Sequence, residues 1–163
     1  MNRTGCTKLE LIYRGNRDGS KNSVFHNKCD NQGPTVCLYK NEKGNIFGGY
    51  ASISWTNSGN GHSAPDSFIF TLTNNYGTEP NKFHNTNVNN SVYHTNSTGP
   101  CFYDDIWFCE DFRSNKKKSS GYTTFPRAYK DTLNKGKSIF TGDNNDENGF
   151  FILTEIEVFK IFK

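Results

Sequence analysis

The sequence predicts a mainly β protein with short helices, arranged as a two-sheet antiparallel β-sandwich. Three observations lead there. The stretch Phe150 to Phe162 alternates large apolar residues in the manner of a strand. Other apolar runs are short and separated by clusters of Gly, Asn, Ser and Pro, which is turn chemistry. One early segment, Ser20 to Cys29, spaces its apolar residues like a helix. With 163 residues the chain is expected to form a single domain, 1–163, with one core of useful size.

Leu9 to Arg14 is expected as a short strand stopped by the turn residues Gly15 to Gly19. Ser20 is placed to cap the helix, whose narrow apolar stripe is Val24, Phe25 and Cys29. Gly33-Pro34 ends it, and Thr35 to Lys40 is the next strand. Asn41 to Asn45 should turn that strand into a hairpin with Ile46 to Trp55, in which Gly48-Gly49 signals a bulge or a close backbone approach. Phe68 to Thr73 reads as a buried strand, followed by Asn-rich loops around Lys82-Phe83-His84 and Val92-Tyr93-His94. Phe102 to Phe112 resumes strand character, half buried because of Asp104, Asp105, Glu110 and Asp111; Ser114 to Ser120 is a loop and Gly121 to Phe140 is irregular. In the closing strand, Phe150, Ile152, Ile156, Val158 and Phe162 share the expected core face, while Phe151, Leu153, Phe159 and Ile161 share the other with Glu155 and Glu157. At roughly 3.3 Å per residue the strand would run about 43 Å, which implies a bend near Thr154.

Composition excludes several classes. Mean hydropathy is -0.80 and hydrophobic content 33%, yet aromatics reach 15%, so few but large side chains build the core. The net charge of +3 is spread along the chain, and its only basic run, Lys116 to Lys118, is set among Ser and Asn, so neither nucleic acid nor membrane insertion is implied. No apolar stretch approaches a membrane span, and Met1 to Glu10 lacks a secretory apolar region; the expectation is a soluble cytoplasmic protein. In that setting the sequons at Asn2, Asn89 and Asn96 carry no weight. Cys6, Cys29, Cys37, Cys101 and Cys109 are odd in number and contain no C-x-x-C pair, which suggests reduced thiols rather than a disulfide framework or a zinc site.

Chemistry is sparse. His26 and Cys29 fall on one helical face, but Cys29 also belongs to the apolar stripe, and His62, His84 and His94 share no ligand spacing. Phosphate loops and nucleophile elbows are missing, so no catalytic residue and no cofactor is expected. Asn144, Asp146, Asn148 and Glu155, with Gly149 between, match a calcium loop apart from Asn at the first position; the exit is a strand rather than a helix, so a hairpin loop is the better reading. Cys101, in a Gly-Pro turn, is the redox candidate because it should be exposed, although Asp104 and Asp105 lie close. Two alternatives to a plain interaction domain follow from the residues: a thiol-based redox-active protein, and a carbohydrate-binding β-sandwich using exposed aromatics such as Trp55 or Tyr103.

Leu11-Ile12-Tyr13-Arg14 with Arg17-Asp18-Gly19, then His26 to Asn31 with Gly33-Pro34-Thr35, then Ile46 to Tyr50, Ser54-Trp55, Phe68 to Leu72, Gly99-Pro100 and Glu155 to Phe159, occur in an order and spacing that resembles the TLDc domain family. The resemblance covers nearly the whole chain. It implies a two-sheet antiparallel β-sandwich flanked by short helices. It also implies a non-enzymatic module that protects against oxidative stress and has a protein partner, with subunits of the vacuolar proton-pumping ATPase as the partner known from several members. Asp66-Ser67 replaces the Gly-Glu that animal members often carry before the aromatic strand, and Cys101 to Asp104 replaces a Gly-rich turn. A partner surface built on either place is not implied. The segment that commonly opens the family domain is unmatched, which implies a minimal or excised version.

Overall fold

In the computed structural model, residues 8–108, 111–113 and 121–162 are described. In chain order the elements are β1 (Lys8–Arg14), α1 (Gly15–Asp18), α2 (Asn22–Cys29), β2 (Thr35–Asn41), β3 (Ile46–Ala51), β4 (Gly61–His62), β5 (Phe68–Thr73), β6 (Asn81–His84), β7 (Val92–Tyr93), β8 (Trp107–Phe108), β9 (Gly121–Tyr122), α3 (Ser138–Thr141), β10 (Phe150–Phe151) and β11 (Leu153–Phe162). A six-stranded sheet in the order β1-β11-β2-β3-β5-β6 faces a three-stranded sheet β10-β9-β8, and β4 pairs with β7 apart from both. The fold is mainly β and its sheets are antiparallel, in keeping with the sandwich expected from sequence.

β2 shows why the large sheet forms. Thr35, Cys37, Tyr39 and Asn41 are buried while Val36, Leu38 and Lys40 point the other way, the period of a strand with one face on the core. Its turn is held by Asn41, whose Oδ1 accepts the backbone N–H groups of Lys43 and Asn45 while its Nδ2 donates to the carbonyls of Phe140 and Thr141, tying the hairpin to α3. In β3 the paired glycines mark a close approach. A Cβ on Gly49 would lie 2.4 Å from the ring of Phe102, and one on Gly48 would lie 2.0 Å from the Cys37 carbonyl oxygen. The core between the layers is a chain of aromatic contacts, including Tyr39 with Phe108 at 4.6 Å, Phe83 with Phe125 at 4.9 Å and Phe125 with Phe140 at 5.0 Å.

β11 runs between β1 and β2, as expected of a central strand, but its facing needs correction. Phe151 and Leu153 are buried at 4% and 2% exposure whereas Phe150 is 57% exposed; beyond Thr154 the parity reverses, and Ile156 and Val158 are buried. The cause is a bulge between Leu153 and Glu155 in the pairing with β2, which inserts one residue and flips every side chain that precedes it. The bend expected near Thr154 is therefore present, and it carries a change of face.

Four smaller expectations also change. Ser20 does not cap α2; its hydroxyl donates to Asp111 at 2.6 Å, and α2 begins after Lys21 without a side-chain cap. Lys82-Phe83-His84 is strand rather than loop, because Phe83 is buried and pairs with Ile69. β3 ends at Ala51, where the Ser52 amide leaves the ladder to donate to Ser67 Oγ. Of Phe102 to Phe112 only β8 is strand; Phe102 to Ile106 is a tight turn with Tyr103 at φ +49, and Cys109 and Glu110 lie outside the described residues, as do Cys6 and Lys116 to Lys118.

The bulge makes a direct prediction. Leu153→Ala and Ile156→Ala should each cost about 2 to 5 kcal/mol, while Phe150→Ala should change stability by roughly 0.5 kcal/mol or less. Urea denaturation midpoints measure all three, and a costly Phe150→Ala would mean that the strand keeps one parity throughout.

Candidate functional site

Three thiols are in view, and all are interior. Cys29, Cys37 and Cys101 are each 0% exposed and none is in a disulfide. Burial pushes the Cys29 thiol well above its usual range, with Cys37 and Asp30 adding to the rise and Lys28 opposing it. Burial likewise pushes Cys37 up to about 12. The expectation that Cys101 is exposed is overturned. Its turn folds beneath the large sheet: the Tyr39 hydroxyl donates to the Pro100 carbonyl at 2.7 Å, the Tyr93 amide donates to the Cys101 carbonyl at 3.1 Å, and Phe102 fills the space over Gly49. A Gly-Pro pair specifies a turn but not which side of it meets water. Trp55 is also misplaced as a sugar platform, since it is 1% exposed and its indole N–H donates to Thr35 Oγ1 at 2.8 Å.

The calcium-loop residues are divided among separate tasks. Glu155 sits in β11, where its carboxylate accepts the Asn16 amide at 2.9 Å and pairs with Arg14 at 3.0 Å. Asp146 Oδ1 accepts the amides of Asn148 and Gly149, closing a local turn, and Asn144 Oδ1 accepts a hydrogen bond from Asn75 Nδ2. Among the described residues, no group of three or more His, Cys, Asp or Glu is placed to hold a metal ion.

His26 lies one turn from Cys29, but both of its ring nitrogens are engaged elsewhere. Nδ1 is 2.8 Å from Asp30 Oδ1, and Nε2 is 2.7 Å from the Thr95 carbonyl and 3.0 Å from that of Thr98. It clasps the 95–98 loop to α2 and is not oriented by the thiol.

Sequence reasoning missed two groups. His62 and His94, which share no spacing, are brought together by the β4-β7 pair and stack with centroids 4.3 Å apart. His94 is 2% exposed, lies 5.4 Å from Trp55, and has Nδ1 2.9 Å from Thr56 Oγ1. Burial, then the neighbouring His62 and His26, lower its pKa to about 4, so it is a neutral imidazole near pH 7. The other is Asp105, 0% exposed although surrounded by polar sequence. Its carboxylate accepts the amides of Arg127 and Ala128, each at 2.7 Å, and burial still raises its pKa to about 6 against those hydrogen bonds. The signal for Asp105 was present in part: a lone acid two residues before Trp107 is a turn cap as readily as a solvated residue.

These two groups pull stability in opposite directions with pH. Between about 4 and 6.5 the unfolded chain takes up a proton at His94 that the folded protein refuses, so stability falls on acidification, by up to about 3 kcal/mol. Over nearly the same window the folded protein keeps a proton on Asp105 that the unfolded chain releases, so that contribution falls as pH rises. The expected profile is nearly flat from about pH 4 to 6. In His94→Phe stability should fall with rising pH there, and in Asp105→Asn it should rise; equal slopes in wild type and both variants would refute the assignment. Denaturant titrations across the window supply the slopes.

With the geometry in hand, comparison with known proteins places the chain. A stretch of 55 residues, 34% of this chain, is 39% identical to human "Interferon-induced protein 44", and the match spans 12% of that much longer protein. The family model of the TLDc domain matches residues 1–162, essentially the whole sequence. The chain belongs to the TLDc domain family, whose domains are linked to resistance against oxidative stress.

Proposed function

We propose that this domain contributes to oxidative-stress resistance as a non-catalytic protein-interaction module acting in the cytoplasm, with subunits of the vacuolar proton-pumping ATPase as its partner. The family match over residues 1–162 carries the reading. The interior supports it. Direct peroxide chemistry needs a thiolate that solvent can reach, and Cys29, Cys37 and Cys101 are all shut away, two of them with thiol pKa values driven upward by burial. No helix among the described residues is long and apolar enough to cross a membrane, which is compatible with a module that reaches the pump through its exposed surface.

Two measurements test this. Peroxide titration with mass-spectrometric mapping should find Cys29, Cys37 and Cys101 oxidising no faster than a small-molecule thiol, and Cys101→Ala should protect cells from peroxide as well as wild type does. One cysteine reacting far faster would replace binding with direct thiol chemistry. Capture of the tagged domain should bring down pump subunits, and their absence would remove that partner.

A further inference from the structure

The large sheet buries one face against the core, and its other face carries an organised surface. Across the strands the register places Val36, Tyr50 and Phe68 in one row, Leu38, Gly48 and Phe70 in the next, and Lys40 beside Ile46 in a third. The apolar members are half-buried by one another, with Tyr50 and Phe68 rings 5.2 Å apart, and Leu72 at the end of the stripe is 40% exposed. Gly48 gives this face a saddle, since a Cβ there would lie 2.9 Å from the Phe70 ring.

The charges around the saddle are not balanced. Glu155 and Glu157 at the β11 side are both held by Arg14, at 3.0 and 3.5 Å, and neutralise it. Lys40 on β2 and Lys82 on β6 are exposed and make no ion pair among the described residues; Lys82 instead rests its Nζ 4.0 Å over the Phe68 ring. His84, next on β6, is exposed as well, and Asp66 lies at the far end beside Tyr50. Three strand spacings separate β2 from β6, about 14 Å, and an α-helix with side chains is about 10 to 12 Å across. A helix laid along β3 and β5 would therefore seat an apolar stripe on Ile46, Phe70 and Leu72 and have one unpaired lysine on each flank.

We propose that this sheet face docks an acidic amphipathic helix of a partner protein, whose apolar stripe fills the saddle and whose carboxylates on both flanks meet Lys40 and Lys82. This rests on the interaction reading above and supplies its surface and the chemistry of its partner. The pairing is a layer solution common to half-covered sheets, with the helix coming from another chain.

The probe is a synthetic peptide of about five helical turns, with leucines at i, i+3, i+4 and i+7 and glutamates on both flanks, compared with a twin carrying lysines in their place. Fluorescence anisotropy should show wild type binding the acidic peptide and rejecting the basic one. Lys40→Glu/Lys82→Glu alters only exposed side chains and should weaken the acidic peptide by about tenfold or more while gaining affinity for the basic twin. Equal binding of both peptides, no binding, or binding that ignores the double variant would overturn the proposal. So would wild-type dimerisation in sedimentation velocity abolished by Leu72→Asp, which would make a second copy the occupant. Retention of wild type but not the variant by phosphatidylserine vesicles would overturn it in favour of a lipid surface. If the peptides fail while the double variant still captures its cellular partner and protects against peroxide, only the surface is wrong; if wild type captures no partner, the interaction reading itself fails.

Discussion

The contact on which most of this structure depends is the ring of Phe102 lying on the bare backbone of Gly49. A β-carbon there would lie 2.4 Å from the ring, so any other residue in the middle of β3 would lift the ring off the sheet. Phe102 also meets Trp55 edge-on at 5.6 Å and Tyr129 at 6.4 Å, so it pins the 93–106 stretch between the large sheet and the 123–129 stretch. The burial of Cys101, the hydrogen bond from Tyr39 to Pro100 and the inward turn of Asp105 all follow from that placement. Long segments with little regular structure are thereby made as ordered as strands, through aromatic anchors and satisfied backbone groups rather than ladders.

That explains what could be read in advance. β1, β2, β5 and the hairpin between β2 and β3 were readable because their alternation is a local property, and the close approach at Gly48-Gly49 was readable because glycine inside a strand has few other uses. The facing of the last strand was not. Nothing in Phe150 to Glu155 marks the extra residue, and the Glu155 carboxylate that fastens the bulge acts on Asn16 and Arg14, more than a hundred positions away. Exposure of Cys101 and Trp55 failed for the same reason: turn chemistry reports the path of the chain, whereas burial is decided by which distant segment lies over it. His62 and His94 stack only because β4 and β7 pair.

The distribution of charge and burial separates two kinds of polar group. Asp105, His94 and Asn41 are interior and hold loops; their partners are backbone groups or a neighbouring hydroxyl. Lys40, Lys82 and His84 lie in the open on the sheet face that turns from the core. Chemistry that would need a tuned, accessible side chain has little to draw on inside, while recognition has an apolar surface with charge at its margins.

The pairing of the chain's first and last strands has a mechanical consequence. Lys8 lies opposite Phe162 in the antiparallel ladder of β1 and β11, so the two ends of the sheet's outer pair leave the domain side by side. Tension applied between those points acts across the ladder and opens it one rung at a time, in the manner of a zipper, instead of loading all its hydrogen bonds together. β1 would peel away first, exposing the outer edge of β11 while β2 still held its other side. The domain is therefore soft to a pull at its ends and stiff to a load along β11.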